Sequence, residues 1–163
     1  MEFEIVPGYD SPEIMRELFV AYTDMLVEND PVFAAYLELQ NYDEELKDLR
    51  VKYGEPRGRL YLALHDGVPA GCIAMKPFDA QSCELKRLYV KPEFRGSGLG
   101  ERLCRLILSE AEKAGYSKVL LDTLPFLHGA KHIYTKLGFK VVPPHSYSPM
   151  GNSIFMQYGI EEQ

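Results

Sequence analysis

Residues 84–100, Glu-Leu-Lys-Arg-Leu-Tyr-Val-Lys-Pro-Glu-Phe-Arg-Gly-Ser-Gly-Leu-Gly, leave this chain few ways to fold. The segment reads as a buried strand that enters a glycine-dense turn and then opens a helix. Gly96, Gly98 and Gly100 leave the backbone N–H groups of the turn free of side-chain cover. At the mouth of a helix those groups lie at the positive end of the dipole, where an anion such as a pyrophosphate is favoured. Arg95 adds a cation whose forked donors suit phosphate oxygens. Residues 95–100 (Arg95, Gly96, Ser97, Gly98, Leu99, Gly100) therefore form a candidate site for a phosphorylated ligand.

Spacing narrows the ligand. A dinucleotide fold requires Gly-x-Gly-x-x-Gly, with an acidic residue about 20 positions on. Here the third glycine comes one place early. A nucleoside-triphosphate loop ends in Gly-Lys-Ser or Gly-Lys-Thr, whereas Gly100 is followed by Glu101.

The 163 residues suit one domain, spanning residues 1–163. A chain of this size buries about 70% of its unfolded surface without disulfide or metal support. A net charge of −6, with no dense stripe of lysine and arginine, argues against nucleic acid as a direct partner. The N-terminus, Met-Glu-Phe-Glu-Ile, lacks the basic and apolar regions of a signal peptide. No apolar stretch approaches the roughly 20 residues that cross a bilayer, so a membrane is not expected as a partner. Cys72, Cys83 and Cys104 are an odd number at no metal-ligand spacing, which fits a reduced, cytoplasmic protein. Cys72 and Cys83 are placed where neighbouring strands could bring them face to face. His128 and His132 lie one helical turn apart but lack a third ligand, so no metal is expected.

Periodicity supplies the remaining elements. Residues 2–6 alternate as a short strand, and Ile14, Leu18, Tyr22, Met25 and Leu26 recur at helical spacing behind Ser11 and Pro12. A second helical region over residues 31–53 is interrupted near Asn41 and closed by Gly54. Residues 60–65 and 68–75 flank Asp66-Gly67, a strong hairpin signal. The strand at 82–90 and its helix to about 114 follow, then an almost wholly apolar strand at 118–122. A helix over 126–137 ends at Gly138, and a last hairpin uses residues 139–142 and 153–158. The order is β-αα-βββ-α-β-α-ββ, an α/β chain with a mixed sheet and helices on both faces.

The string Leu88-Tyr-Val-Lys-Pro-Glu-Phe-Arg-Gly-Ser-Gly-Leu-Gly100, with Tyr134-Thr-Lys-Leu-Gly-Phe139 downstream, resembles the acyl-CoA signatures of the GNAT superfamily of N-acetyltransferases. The resemblance covers residues 58–142. It implies the GNAT fold, whose signature strand and following strand splay apart to admit the pantetheine arm. It also implies acetyl-CoA as cosubstrate and transfer of an acetyl or short acyl group to a primary amine of a small molecule or peptide. By the same resemblance, the backbone of Leu88, Tyr89 and Val90 holds the arm, the Leu88 N–H faces the thioester carbonyl, and Tyr134 protonates the leaving thiolate. Glu84 matches a general-base glutamate found in some members, though it could instead balance a charge at a strand end. Strict alternation places Glu84 on the face of Leu88 unless a bulge intervenes near Arg87.

Leu127 stands where the family often has an asparagine, so that contact is either absent or supplied by Thr123 or a backbone group. Lys131, His132, Arg102 and Arg105 are further candidates for the CoA phosphates. The loop 143–149, with His145 and Tyr147, resembles the segment that closes over the acceptor. Tyr22, Asp24, Tyr36, Gln40 and Asn41 are candidates for the acceptor side, and a homodimer is compatible with all of this. The alternative is a non-catalytic acyl-CoA-binding sensor, which needs residues 95–100 but neither Tyr134 nor Glu84.

Overall fold

Helix α1 (Pro12–Asn29) begins where Pro12 supplies a helical φ at a position that needs no N–H donor. It buries Met15, Leu18, Phe19 and Leu26 along one stripe. The computed structural model describes residues 1–162. The second helical region divides into α2 (Phe33–Leu39), α3 (Tyr42–Lys47) and α4 (Leu49–Tyr53). Asn41 makes the expected break by taking a left-handed backbone, φ 58°. The break between α3 and α4 is not signalled by any Gly or Pro. There Asp48 is extended, and its side chain accepts from the Arg50 N–H at 3.1 Å, starting a new helix instead of continuing the old one.

The strands are β1 (Glu4–Pro7), β2 (Arg59–His65), β3 (Val68–Pro77), β4 (Ser82–Val90), β5 (Lys118–Thr123), β6 (Lys140–Val141) and β7 (Ile154–Gly159). They form one sheet of order β1-β2-β3-β4-β5-β7-β6, in which only β4 and β5 run parallel. Helix α5 (Leu99–Lys113) packs on one face with α6 (His128–Leu137), its Leu103 and Ile107 sharing a core with Ile73, Met75 and Leu85 of the sheet. Helices α1 to α4 cover the other, over Leu60, Leu62, Cys72, Ala74 and Tyr89. Burying both faces is why the central strands read as nearly unbroken apolar runs. It also separates the cysteines. Cys72 sits opposite Tyr89 and Cys83 opposite Pro77, in the two different cores, so they do not face each other as the sequence suggested.

Two irregularities in the centre of the sheet create the site. Pairing of β4 with β5 stops after Ser82↔Lys118, Cys83↔Val119 and Glu84↔Leu120, and beyond that point the strands part. On its other side β4 pairs Lys86 with Ala74 and Tyr89 with Cys72, leaving Ile73 opposite both Arg87 and Leu88. This is a β-bulge with Arg87 in the left-handed region, φ 61°. The extra residue shifts the alternation by one. Leu85, Leu88 and Val90 now belong to the α5 face, whereas Glu84, Lys86, Arg87 and Tyr89 belong to the α1–α4 face. Glu84 and Leu88 are therefore on opposite faces, against strict alternation.

Candidate active site

The parting of β4 and β5 opens a cavity of about 700 Å³. One end is the turn before α5. Gly96 and Gly98 have φ of 77° and 85°, and a Cβ on either would meet nothing within 4 Å. Their missing side chains leave open space above the N-terminal amides of α5, a cradle that fits a diphosphate. Gly100 serves packing instead, because a Cβ there would come to 3.0 Å from Ile133 Cδ1 of α6. Leu88, Tyr89, Val90 and all of residues 95–100 line the cavity. Arg95 is already engaged on one edge: its Nε donates to the Val90 carbonyl at 3.0 Å, and its guanidinium lies 5.9 Å from the Tyr89 ring centroid.

Tyr134 reaches the same cavity from α6. Its ring packs on Phe139 at 5.6 Å, which accounts for the fixed spacing of the two aromatics in sequence. Its hydroxyl has no hydrogen-bond partner among the described residues. Burial raises its pKa well above 10, and the Cys104, Tyr22 and Asp122 groups push in the same direction. The phenol is thus held in its protonated form.

Glu84 is placed elsewhere. It does not line the cavity, and it accepts from Lys76 Nζ at 3.2 Å directly across the β3–β4 ladder. Burial pushes its carboxyl up, but Lys86 and Lys76 outweigh that and hold it below the ordinary carboxylate value. Its geometry is that of a charge balanced at a strand end. Asp122 of β5 does line the cavity, and it accepts from the Tyr36 hydroxyl at 2.8 Å. It was not among the site residues expected from sequence. Its signal was the lone carboxylate in the run Lys-Val-Leu-Leu-Asp, since a charge on a strand buried on both faces must be paired or used.

A second group was also missed. Arg87, only 5% exposed, places Nε on Glu45 Oε2 at 3.0 Å and Nη2 on Glu45 Oε1 at 2.9 Å. Glu45, 2% exposed, also accepts from the Tyr53 hydroxyl at 2.9 Å and from Lys52 Nζ at 2.8 Å. Gln40 completes the cluster by accepting from Arg87 Nη2 at 2.9 Å. Three short helices are thereby tied to the bulge, where left-handed backbone at Arg87 costs about one to two kcal/mol.

Of the acceptor-side candidates, Tyr22, Tyr36 and Gln40 line the cavity, whereas Asp24 and Asn41 are exposed and do not. Thr123 and Leu127, the residue at the position of the absent asparagine, both line it. Arg102 turns to the Phe3 carbonyl and Arg105 to Glu101, and Lys131 and His132 do not line the cavity. In the loop 143–149, His145 is wedged between Phe78 and Phe155, and Tyr147 is 75% exposed. Ser148 alone of that loop bears on the Tyr36 hydroxyl.

The chain matches the model of the Acetyltransferase (GNAT) family over residues 15–139. It is 42% identical over 127 residues to an uncharacterized N-acetyltransferase of Schizosaccharomyces pombe, covering 77% of this chain and 78% of that protein. Among solved structures, an acetyltransferase of Streptococcus agalactiae superposes with a TM-score of 0.75 at 20% identity, over 96% of this chain and 98% of its own. A GNAT family acetyltransferase of Elizabethkingia anophelis with acetyl-CoA bound gives 0.67 at 21% identity, over 96% and 97%. With the glycine cradle, the parted strands and these matches in agreement, the chain belongs to the GNAT family of acetyltransferases, enzymes that depend on acetyl-CoA.

Proposed function

We propose that the protein transfers an acetyl or short acyl group from acetyl-CoA to the primary amine of a small molecule or peptide, by direct attack within a ternary complex. One observation carries the reading: the cradle at residues 96–100, the unpartnered Tyr134 hydroxyl and the Asp122 carboxylate all line a single cavity. The turn amides and Arg95 take the diphosphate. The backbone of residues 88–90 lies along the arm, with the Leu88 N–H toward the acyl carbonyl, a kind of donor whose removal typically costs about 3 kcal/mol of barrier.

Acetyl-CoA brings an already activated thioester, so no protein nucleophile is needed. The thiols support this, because Cys72, Cys83 and Cys104 are all buried, and burial pushes each well above the ordinary thiol value. An aliphatic amine, with a pKa near 10, arrives protonated and must lose a proton before attack. Asp122, not Glu84, is the cavity carboxylate in position to receive it, and Tyr134 donates to the departing sulfur.

Thiol release from acetyl-CoA over a panel of amines, combined with thermal shifts by CoA, ATP and NAD, tests the reading. CoA alone should raise Tm, and Asp122→Asn should lower kcat/KM about a hundredfold at neutral pH. That deficit should narrow as the pH approaches the pKa of the amine. An Asp122→Asn enzyme as active as wild type at neutral pH would remove Asp122 from the reaction. Failure of every amine, with CoA binding intact, would leave a CoA-binding module instead.

A further inference from the structure

Lys86 and Asp122 occupy equivalent places on the two parted strands. The last rung of the β4–β5 ladder is Glu84↔Leu120, and each residue lies two positions beyond it. Both therefore project on the α1–α4 face, and both line the cavity. Side by side on paired strands they would form a salt bridge. Among the described residues neither has an oppositely charged group within 4.0 Å. The splay that admits the acyl donor also holds this cation and this anion apart.

The other charges nearby are already engaged. Arg87 is held by both oxygens of Glu45, and Glu84 by Lys76. Lys86 has one partner, the neutral Gln40 Oε1 at 3.3 Å, an oxygen that also accepts from Arg87. An ammonium has three donors, so two remain uncommitted at the cavity wall. Asp122 has one neutral partner, the Tyr36 hydroxyl, and keeps further acceptor capacity. A charge sheltered from water without a counter-ion is costly. Two such charges of opposite sign, facing one space, are complementary to a ligand bearing both.

Resting on the transfer reading above, we propose that the acceptor is a zwitterionic amino carboxylate. Its ammonium would be received by Asp122 and its carboxylate bound by Lys86, with Gln40 positioning the lysine. The apolar and aromatic walls, Phe33, Tyr22 and Tyr36, would accommodate the remainder. Lys86 is then a specificity-determining residue for the class of amine. Burial and Arg87 lower its pKa while Asp122 and Glu84 raise it, and an incoming carboxylate would favour the charged form further.

The test compares kcat/KM for free amino acids with that for the same compounds as carboxamides or decarboxylated amines, in wild type and Lys86→Met. Wild type should favour the amino acids by roughly ten- to a hundredfold, the usual worth of a charge-assisted bond to a sheltered carboxylate. Lys86→Met should bring that ratio toward one, and Lys86→Arg should restore part of it. General damage to the fold would lower both rates and leave the ratio standing. Preference for the carboxylate-free amines, or a ratio unmoved in Lys86→Met, overturns this inference while leaving acetyl transfer intact. Failure of all amines in both classes, with CoA still raising Tm, overturns the transfer reading and this inference with it.

Discussion

Arg87 and Glu45 form a two-point ion pair inside the protein, 42 residues apart in the chain, with nitrogen-to-oxygen distances of 3.0 and 2.9 Å. The pair joins the bulge of β4 to α3, and through Gln40 it reaches the wall of the cavity. Removing one partner leaves the other charge buried without compensation, which typically costs about 3–5 kcal/mol. Glu45→Ala should therefore lower Tm by roughly 10 °C, at about 2–4 °C per kcal/mol for a chain of this size. Urea unfolding checks it, and a loss under about 1 kcal/mol would mean that water reaches the pair.

The same pair sets acid sensitivity. Burial alone would push the Glu45 carboxyl up, but Arg87 and Lys52 more than compensate and hold it at about 2, from an ordinary 4.5. A folded-state value below the unfolded one stabilises the protein above the unfolded value. That stabilisation is lost as the pH falls from 4.5 toward 2. Unfolding free energy measured across this window should decline more steeply in wild type than in Glu45→Gln, and parallel slopes would contradict the assignment.

Tyr134→Phe keeps the ring against Phe139 and removes only the hydroxyl. If that hydroxyl protonates the leaving thiolate, kcat should fall about a hundredfold while the acetyl-CoA KM changes little. Because the phenol titrates well above 10, the wild-type pH–rate profile should show no descending limb from this residue below that pH. Equal kcat in the two enzymes would exclude the role.

Gly98 has φ of 85°, and its absent Cβ faces open space. In Gly98→Val the fold bears only backbone strain, about 1–2 kcal/mol, while the branched side chain fills the cradle over the α5 amides. Thermal shift by CoA should vanish although the protein remains folded. A normal shift would place the diphosphate elsewhere.

Residues close in sequence made much of this legible. The glycine turn, the strand before it and the Tyr134–Phe139 pair each express their geometry over one or two turns of chain, so a short pattern specifies them. Strand β4 falls on residues 82–90 as expected, and α5 begins within the glycine motif. Glu84 shows where such reading fails. Strict alternation puts it on the face of Leu88, whereas the bulge at Arg87 puts it on the α1–α4 face, where a cross-strand lysine engages it away from the cavity lining.

The order of elements, the glycine turn before α5 and the Tyr134–Phe139 pair were thus determined by the sequence itself, through local backbone preferences and apolar periodicity. What only the tertiary structure decided is which charges remain unsatisfied. Glu45 neutralises Arg87 from 42 residues away, and Tyr36 reaches Asp122 across 86. Lys86 and Asp122 are left apart because two strands stop pairing after Glu84 and Leu120. Charge pairing acts over a few ångströms in space and is indifferent to separation along the chain, so it emerges only once the chain has closed on itself.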